Sequence, residues 1–431
     1  MKNVYDLAVE RIQFLIQEFD QIYISFSGGK DSGVLLNLYL ELVQFYKPEM
    51  RPAIFYMDYE ICYQETALYV ERTFNQLKNK VDIYHICVPF KVTTCTSMFQ
   101  NFWRPWDKDK KEQWVRDLPT HCYTKDDFDF YNEDIWDYDF QFLFGEWLHR
   151  KNKAKKTCCL VGIRTQESYN RWRSIYNDNK YATYQGKRWT SYVFEDVYNA
   201  YPLYDWKITD IWTANGKFKW DYNKLYDLYY QAGVPLVRQR VASPFLCEAR
   251  ESLHLYRVID PDTWGKMLNR VNGVNFTAIY GGTHAMGRKK IKLPNGFTWR
   301  KYMFFLLSTL PEESRQIYEQ KLKVSIAFWK NKGGVLEKDT IKKLVEKKIP
   351  IEITNSPYRT SKRAVKMDYI DEIDIAEQRS IPTYKRVCIC ILRNDYQCKY
   401  MGFAQTKDDR VRKMRILADY ENFKTYLNER L

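Results

Sequence analysis

The sequence lacks the long apolar segment that a membrane-spanning helix requires. No run of about 18 apolar residues occurs in its 431 residues, and residues 1–6 contain no apolar stretch of the kind that directs secretion. We therefore expect a cytoplasmic protein with no membrane partner. With 45% hydrophobic and 28% charged residues, the chain has the composition of a globular protein and is long enough for about two or three domains.

Patterns typical of metal sites are also missing. The five histidines form no HxxH or HExxH group, and the ten cysteines include no CxxC pair. Cys388, Cys390 and Cys398 lack a fourth neighbouring ligand, so the sequence does not favour structural zinc. We expect the thiols to be free, as they are in a reducing compartment.

A third absence is the Walker pattern GxxxxGK[ST], in place of which the chain has a shorter glycine loop. The loop lies between the apolar residues 22–26 and 33–36, an order that predicts strand, loop and helix. Its glycines allow a sharp turn, and the helix N-terminus adds positive partial charge. Together with hydroxyl groups and a lysine, this predicts polyphosphate binding. The loop residues are Ser27, Gly28, Gly29, Lys30, Asp31 and Ser32.

Strand and helix patterns alternate after this loop. Buried strands are predicted at residues 52–58, 83–88 and 157–162, with helices between the earlier ones. This alternation predicts an α/β fold with a Rossmann-like parallel sheet of about five strands. In such sheets ligands bind beyond the carboxyl ends of the strands. The glycine loop and Asp58 both lie at such ends, and we assign Asp58 to the ribose or base of a nucleotide.

A second polar segment follows the fourth predicted strand. It contains Gly162, Arg164 and Glu167, with Arg171 one helical turn later. A simple helix-capping turn accounts for this pattern as well as a functional site does. An arginine at a strand end is, however, well placed to bind a phosphate through two hydrogen bonds. Its position on the same sheet edge as the glycine loop favours the functional interpretation.

These motifs resemble those of a known superfamily. SGGKDS resembles the SGGxDS loop (PP-loop) of the ATP pyrophosphatases, and residues 162–171 and 201–226 resemble segments of phosphoadenosine phosphosulfate (PAPS) reductases. With the WRPW run at 103–106 and residues 270–275, the pattern is most similar to the PAPS reductase-like proteins typified by the immunoglobulin-binding regulator IbrA. The resemblance implies an adenine nucleotide alpha-hydrolase-like fold that binds ATP or PAPS, with Mg²⁺ bridging phosphate oxygens.

The resemblance also implies roles for individual residues. Lys30, Asp31 and Arg164 would be catalytic. The nucleotide would be held by Ser27, Gly28, Gly29, Asp31, Ser32, Asp58, Gly162, Arg164, Glu167 and Arg171. The favoured reaction is cleavage of ATP between the α and β phosphates, giving pyrophosphate and an adenylated acceptor, in a nucleic-acid-linked process of phages or mobile elements.

Two alternatives remain open. The first is a PAPS reductase, but the ECG segment of those enzymes is absent, and Cys247-Glu248-Ala249-Arg250 inverts its order. Cys158-Cys159 has no accompanying CxxC, so we expect no iron–sulfur cluster. The second alternative is a non-catalytic regulator that senses ATP and works with a ParB-like partner.

Charge and composition suggest three domains. We predict a nucleotide-binding domain at 1–240 with an insertion at about 94–150, a helical extension at 241–332 and a basic, mostly helical C-terminal domain at 333–431. Residues 311–431 contain 26 Lys and Arg against 18 Asp and Glu, including the run Arg410-Val411-Arg412-Lys413. This excess favours nucleic-acid binding by the C-terminal region, although a protein-docking face or a solvated surface accounts for it equally well.

Overall fold

The computed structural model describes residues 2–167, 171–172, 175, 183–247, 249–287, 291–354 and 363–403. The basic run at 410–413 and Lys362 lie outside the described residues. The strands of the N-terminal part are β1 Gln21–Ser25, β2 Ala53–Met57, β3 Asp82–Ile86, β4 Val92–Thr93, β5 Phe102–Trp103, β6 Thr157–Val161, β7 Thr190–Phe194 and β8 Val197–Ala200.

Six of these strands form one sheet in the order β3-β2-β1-β6-β8-β7. Every neighbouring pair is parallel except β7 with β8, which is antiparallel. The predicted parallel Rossmann-like sheet is therefore confirmed, with one added antiparallel edge strand. All five residues of β2 are buried, as expected of a strand that helices cover on both faces. β4 and β5 form a separate two-stranded pair.

Helices cover the sheet and extend beyond it. Those up to residue 280 are α1 Val4–Glu18, α2 Lys30–Tyr46, α3 Gln64–Leu77, α4 Asp137–Lys151, α5 Ile208–Phe218, α6 Leu225–Gln231, α7 Tyr256–Ile259, α8 Pro261–Arg270 and α9 Val274–Tyr280. α1 begins at a capping box formed by Asn3 and Asp6, which satisfies amide groups that the first helical turn leaves free. Its buried face packs in the same apolar cluster as α2.

The segment predicted as an insertion is partly a sheet-covering helix. α4 forms the last part of this segment and buries Phe140, Phe144 and Leu148. The Phe144 ring stacks on Phe55 of β2, with the two ring centroids 4.1 Å apart. α4 therefore connects β3 to β6 and covers one face of the sheet. Only the part before α4 departs from the strand–helix alternation.

The first part of segment 201–226, which resembles the PAPS reductases, forms hydrogen bonds with α1. Arg11 of α1 donates two hydrogen bonds to the Asp205 carboxylate, at 2.8 and 2.7 Å, and one to the Pro202 carbonyl. The Trp206 indole N–H donates to the Val4 carbonyl at 3.0 Å. These residues stabilise the fold, so this part of the motif has a structural role.

The C-terminal part has its own apolar clusters. Its helices are α10 Trp299–Ser308, α11 Glu312–Asn331, α12 Lys338–Glu346 and α13 Tyr384–Leu392, and its strands are β9 Gly334–Leu336, β10 Glu352–Thr354 and β11 Arg363–Lys366. The region is mostly helical, as predicted, but the small antiparallel sheet in the order β10-β11-β9 was not predicted. Strands of three or four residues are too short to show a clear alternation of apolar residues.

Short 3-10 helices complete the secondary structure, at Lys108–Gln113, Lys125–Asp127, Thr165–Glu167, Tyr184–Gly186, Leu236–Arg238, Arg250–Leu255, His284–Met286, Gln378–Ser380 and Lys399–Met401. Among the described residues, no helix has both the length and the apolar character needed to cross a membrane.

Candidate active site

The glycine loop connects β1 to α2 at the carboxyl edge of the sheet. α2 begins at Lys30, three residues earlier than its apolar pattern indicated, so that Lys30, Asp31 and Ser32 belong to its first turn. Gly28 has a φ of 69°, in the left-handed region that glycine adopts without strain. The Ser27 and Ser32 hydroxyls are 3.0 Å apart, and the Ser27 hydroxyl accepts a hydrogen bond from the Gly29 amide. The two hydroxyls thus hold the turn in shape.

Asn223 and Tyr226, which precede and begin α6, support the loop from outside. The Asn223 side-chain amide donates to the Gly28 carbonyl at 2.9 Å, and the Tyr226 hydroxyl accepts from the Lys30 amide at 3.1 Å. Both residues belong to the third sequence motif. Their contacts show that this motif positions the loop, in addition to packing in the core.

Lys30 is turned into the protein, with only 6% of its surface exposed. Its ammonium group donates to the Gln239 carbonyl at 3.1 Å and lies 3.2 Å from the Asp31 carboxylate. Burial lowers the pKa of Lys30, an effect that Asp31 opposes. The lysine therefore connects the loop to the segment after α6, and its catalytic role stays a prediction.

Asp31 and Arg164 bring the first two motifs together. The Arg164 guanidinium is 3% exposed and forms an ion pair with Asp31 through its Nε. Glu167 lies next to it, 3.8 Å from Nη2, and also pairs with Arg171. Burial raises the pKa of Glu167, while Arg171 opposes the shift. The result is a chain of alternating charges at the ends of β1 and β6.

Gly162 allows this close approach. A Cβ atom at this position would lie 3.1 Å from backbone atoms of Asp31 and Ser32, so any side chain would displace the first turn of α2. The glycine is therefore explained by packing between the end of β6 and the loop.

Asp58 lies at the end of β2, as predicted, but its partners are protein groups. It is 1% exposed, and its carboxylate accepts from His85 Nε2 at 2.7 Å and pairs with Arg116. Burial alone would raise the pKa of Asp58, but Arg116 and His85 hold it below its ordinary value. The assignment of Asp58 to the ribose stays a prediction, because the carboxylate is here directed at these two side chains.

His85 and Arg116 were not identified from the sequence. His85 lies on β3 and Arg116 in the long segment before α4, 27 and 58 residues from Asp58. No spacing rule connects such positions, so only the tertiary structure brings them together.

Asp58 and His85 also form, with Cys87, a group whose potential ligand atoms lie within 4.8 Å of one another. Arg116 already neutralises the Asp58 carboxylate, and a metal cation would have to lie beside this guanidinium. The residues fit a buried ion pair better than a metal site.

A cavity of about 230 Å³ opens beside the loop. Its wall includes Ser27, the ends of β1 and β2, Cys62, residues 241–243 and Leu246. The Ser243 hydroxyl is buried beneath this wall and has no hydrogen-bond partner among the described residues. Sequence reasoning missed Ser243, because a single serine in an irregular segment carries no pattern.

A second cavity of about 200 Å³ adjoins the first and shares Ser25, Phe55 and Gln141 with its wall. It extends along the ends of β6 and β8, where Tyr192 and Tyr201 line it. The site therefore offers two neighbouring compartments at the carboxyl ends of four strands.

Comparisons with known proteins match two segments of the chain. Residues 21–232 match the model of the phosphoadenosine phosphosulfate reductase domain, and residues 233–412 match a domain of unknown function, DUF3440. The chain is 33% identical over 411 residues to the "Uncharacterized protein YbdN" of Escherichia coli K12, covering 94% of this chain and 91% of that protein.

Among solved structures, similarity is weaker. An FMN adenylyltransferase from Candida glabrata with FMN and an ATP analogue is 16% identical, covering 52% of this chain and 59% of that chain, with a TM-score of 0.29. A PAPS reductase from Candida auris is 13% identical, covering 51% of this chain and 84% of that chain, also with a TM-score of 0.29. These similarities are too distant to bear on the activity.

Proposed function

Because the chain belongs to the family of PAPS reductase-domain proteins that includes Escherichia coli YbdN, we propose that it binds ATP at the glycine loop and cleaves it between the α and β phosphates. An oxygen of an acceptor attacks the α phosphorus, the bond to the β phosphate breaks, and pyrophosphate leaves. The products are an adenylated acceptor and pyrophosphate, or AMP when water is the acceptor.

The observation that carries this proposal is the junction of Asp31 and Arg164 at the glycine loop, whose Ser27 lines an open cavity. A guanidinium at a strand end, next to a helix N-terminus, stabilises negative charge that develops on a leaving pyrophosphate. Asp31 holds that guanidinium in place. The Ser27 and Ser32 hydroxyls lie where they would contact the phosphates.

The cavity beside the loop, whose wall includes Ser243, would receive the adenosine. The adjoining cavity, which shares Ser25 with the first, is where we expect the acceptor to enter. Mg²⁺ would bridge phosphate oxygens and neutralise part of their charge.

Two thiols, Cys247 and Cys62, favour this reaction over PAPS reduction. A reductase needs a thiolate, but contact with Cys95 and burial raise the pKa of Cys247. Cys62 lines the cavity, and burial raises its pKa to about 11. These two environments disfavour the thiolate that thiol-dependent release of sulfite requires.

The test uses ATP labelled at the α phosphate, incubated with the protein in the presence and absence of nucleic acid. We expect label in AMP or on an acceptor, together with released pyrophosphate, and loss of turnover in Ser27→Ala. ADP and orthophosphate as primary products would contradict the proposal. Binding of ATP without any turnover would instead support the ATP-sensing regulator, and sulfite release from PAPS the reductase.

A further inference from the structure

The C-terminal part contains a cavity that is separate from the site described above. It measures about 420 Å³ and lies between Gly287, the start of α10, the start of α13 and residues 372–379. None of its lining residues lines either cavity beside the glycine loop. Its volume falls within the range of about 300–1,000 Å³ that is typical of small-molecule sites.

The wall of this cavity is strongly cationic. Its described lining residues include four basic side chains, Arg379, Lys385, Arg386 and Arg393, and a single carboxylate, Glu372. Glu372 pairs with Lys385 at 2.8 Å. The nearby Asp371 accepts hydrogen bonds from the first two amides of α10 and is not part of the wall. The cavity therefore has a surplus of three positive charges.

Arg386 is the most informative of these side chains. It is 8% exposed, and it donates to the carbonyls of Tyr400 and Ile381 through Nε, Nη1 and Nη2. A guanidinium has five N–H groups, so two remain without a protein acceptor among the described residues. No described carboxylate lies within ion-pair distance of it, and burial lowers its pKa. A buried cation of this kind is costly unless an anion accompanies it.

Trp299 and apolar side chains complete the wall. The Trp299 ring is 3% exposed and lines the cavity, whereas its indole N–H is enclosed by protein. Ile291, Leu293 and Ile389 form an apolar part of the same wall. The cavity thus combines unmatched hydrogen-bond donors and positive charge with an apolar surface.

We propose that this cavity binds the phosphate monoester of a nucleoside, either as a free nucleotide or as the phosphorylated end of a nucleic-acid strand. Guanidinium groups bind phosphate oxygens through paired hydrogen bonds. A phosphate monoester carries close to two negative charges at neutral pH, which matches a surplus of three cations better than the single charge of a carboxylate. The apolar wall would cover the nucleoside.

Isothermal titration with thymidine 5′-monophosphate tests the proposal on the full chain. We expect saturable binding that Arg379→Ala and Trp299→Phe each weaken about fivefold or more, since the first change removes a hydrogen bond to a charged group and the second reduces the wall that covers the nucleoside. Arg379 is exposed and the tryptophan change keeps an aromatic ring, so both variants are expected to fold. A thermal melt of each variant verifies this.

Two control variants show whether the nucleotide binds in this cavity or elsewhere on the protein. Arg363→Ala removes an exposed arginine of β11 outside the cavity, and Ser27→Ala alters the glycine loop. Neither should change the affinity for thymidine 5′-monophosphate. The Ser27→Ala control separates this proposal from the proposed ATP site. Binding of thymidine 5′-monophosphate in the C-terminal cavity can be observed when ATP turnover is absent, and can be absent when ATP turnover is observed.

The remaining titrations identify the source of the ligand. A 5′-phosphorylated oligothymidylate that binds more tightly than the mononucleotide, and loses this advantage without its phosphate, indicates a strand end. Equal affinities indicate a free nucleotide. The proposal is overturned if no saturable binding occurs, if Arg379→Ala and Trp299→Phe leave the affinity unchanged, or if inorganic phosphate competes as well as the nucleotide.

Discussion

Arg164 joins two motifs that lie 133 residues apart in the chain. Its side chain is almost fully buried and pairs with Asp31 of the loop. The side chain reaches the loop on the neighbouring strand and also contacts Gln166 and Glu167 of its own turn. Its functional role therefore stays a prediction beside the structural one.

Arg164→Lys is expected to reduce ATP turnover at least tenfold, because lysine keeps the charge but loses the planar fork that binds two oxygens. Steady-state kinetics with α-labelled ATP measures the change. The matched control is Arg72→Lys, at an exposed pair with Asp221, which should leave turnover unchanged. Full activity of Arg164→Lys would return this residue to a purely structural role.

The lowered pKa of Asp58 predicts that the free energy of unfolding depends on pH. Arg116 and His85 hold its pKa below the ordinary value, so the folded state binds this proton less readily than the unfolded chain. The stabilisation is therefore present above the unfolded pKa of about 4 and is lost as pH falls toward the folded pKa.

Urea unfolding between about pH 5 and pH 3 measures this dependence. The free energy of unfolding should fall less steeply with decreasing pH in Asp58→Asn than in the wild type. Asp82→Asn, at an exposed pair with Arg51, is the control and should retain the wild-type slope. Parallel slopes for Asp58→Asn and the wild type would refute the prediction.

At the scale of elements, the site depends on how closely β6 approaches α2. Gly162 ends β6 against the first turn of α2, and no other residue type fits there without movement. The apolar pattern of α2 begins at Gly33, which is why the sequence did not show that the helix starts at Lys30. The Ser32 hydroxyl, the lysine and the aspartate of the loop are therefore positioned by a helix rather than by an irregular turn.

Gly162→Ala is expected to lower the free energy of unfolding by about 1–3 kcal/mol, the usual cost of overpacking, and to weaken ATP binding by displacing the loop. Thermal melts and ATP titration measure the two effects. Gly216→Ala is a matched control, since Gly216 lies within α5 with no atom near its Cβ position, and alanine should stabilise the helix by about 0.5–1 kcal/mol. Equal behaviour of the two variants would contradict the packing argument.

At the scale of the molecule, two cavity systems lie in two differently built parts of the chain. The cavities beside the loop belong to the parallel sheet, whereas the cationic cavity belongs to the helical C-terminal part. Residues 94–97 join them, because Cys95 and Thr96 hydrogen-bond to Phe245 and Asn272 and the Cys95 carbonyl accepts from Asn394. Ligands at the two sites would therefore act on one packed structure.

ATP with Mg²⁺ should stabilise the whole protein, by about 2.7 kcal/mol when free ATP is a hundredfold above its dissociation constant. Differential scanning fluorimetry measures the shift in melting temperature. Ser27→Ala should lose most of the shift. Asp31→Ala is a poor choice for this test, because it would leave the buried Lys30 and Arg164 without their carboxylate and lower the stability directly.

The sequence by itself determined the parallel sheet, the position of the glycine loop and the placement of Arg164 at a strand end. These features follow from local order, since an apolar run, two glycines and a helix pattern specify strand, turn and helix without reference to distant residues. The match to the PAPS reductase domain over residues 21–232 agrees with that part. The more specific resemblance to IbrA-like proteins, the domain boundaries and the role of magnesium stay predictions.

Only the tertiary structure decided which side chains meet. Asp58 contacts His85 and Arg116, and the lysine of the loop donates a hydrogen bond to the Gln239 carbonyl. Basic side chains from separate segments line the C-terminal cavity. Each of these contacts depends on how segments tens to hundreds of residues apart pack together. Local patterns carry no information about such pairings, because burial and charge balance are properties of the assembled fold.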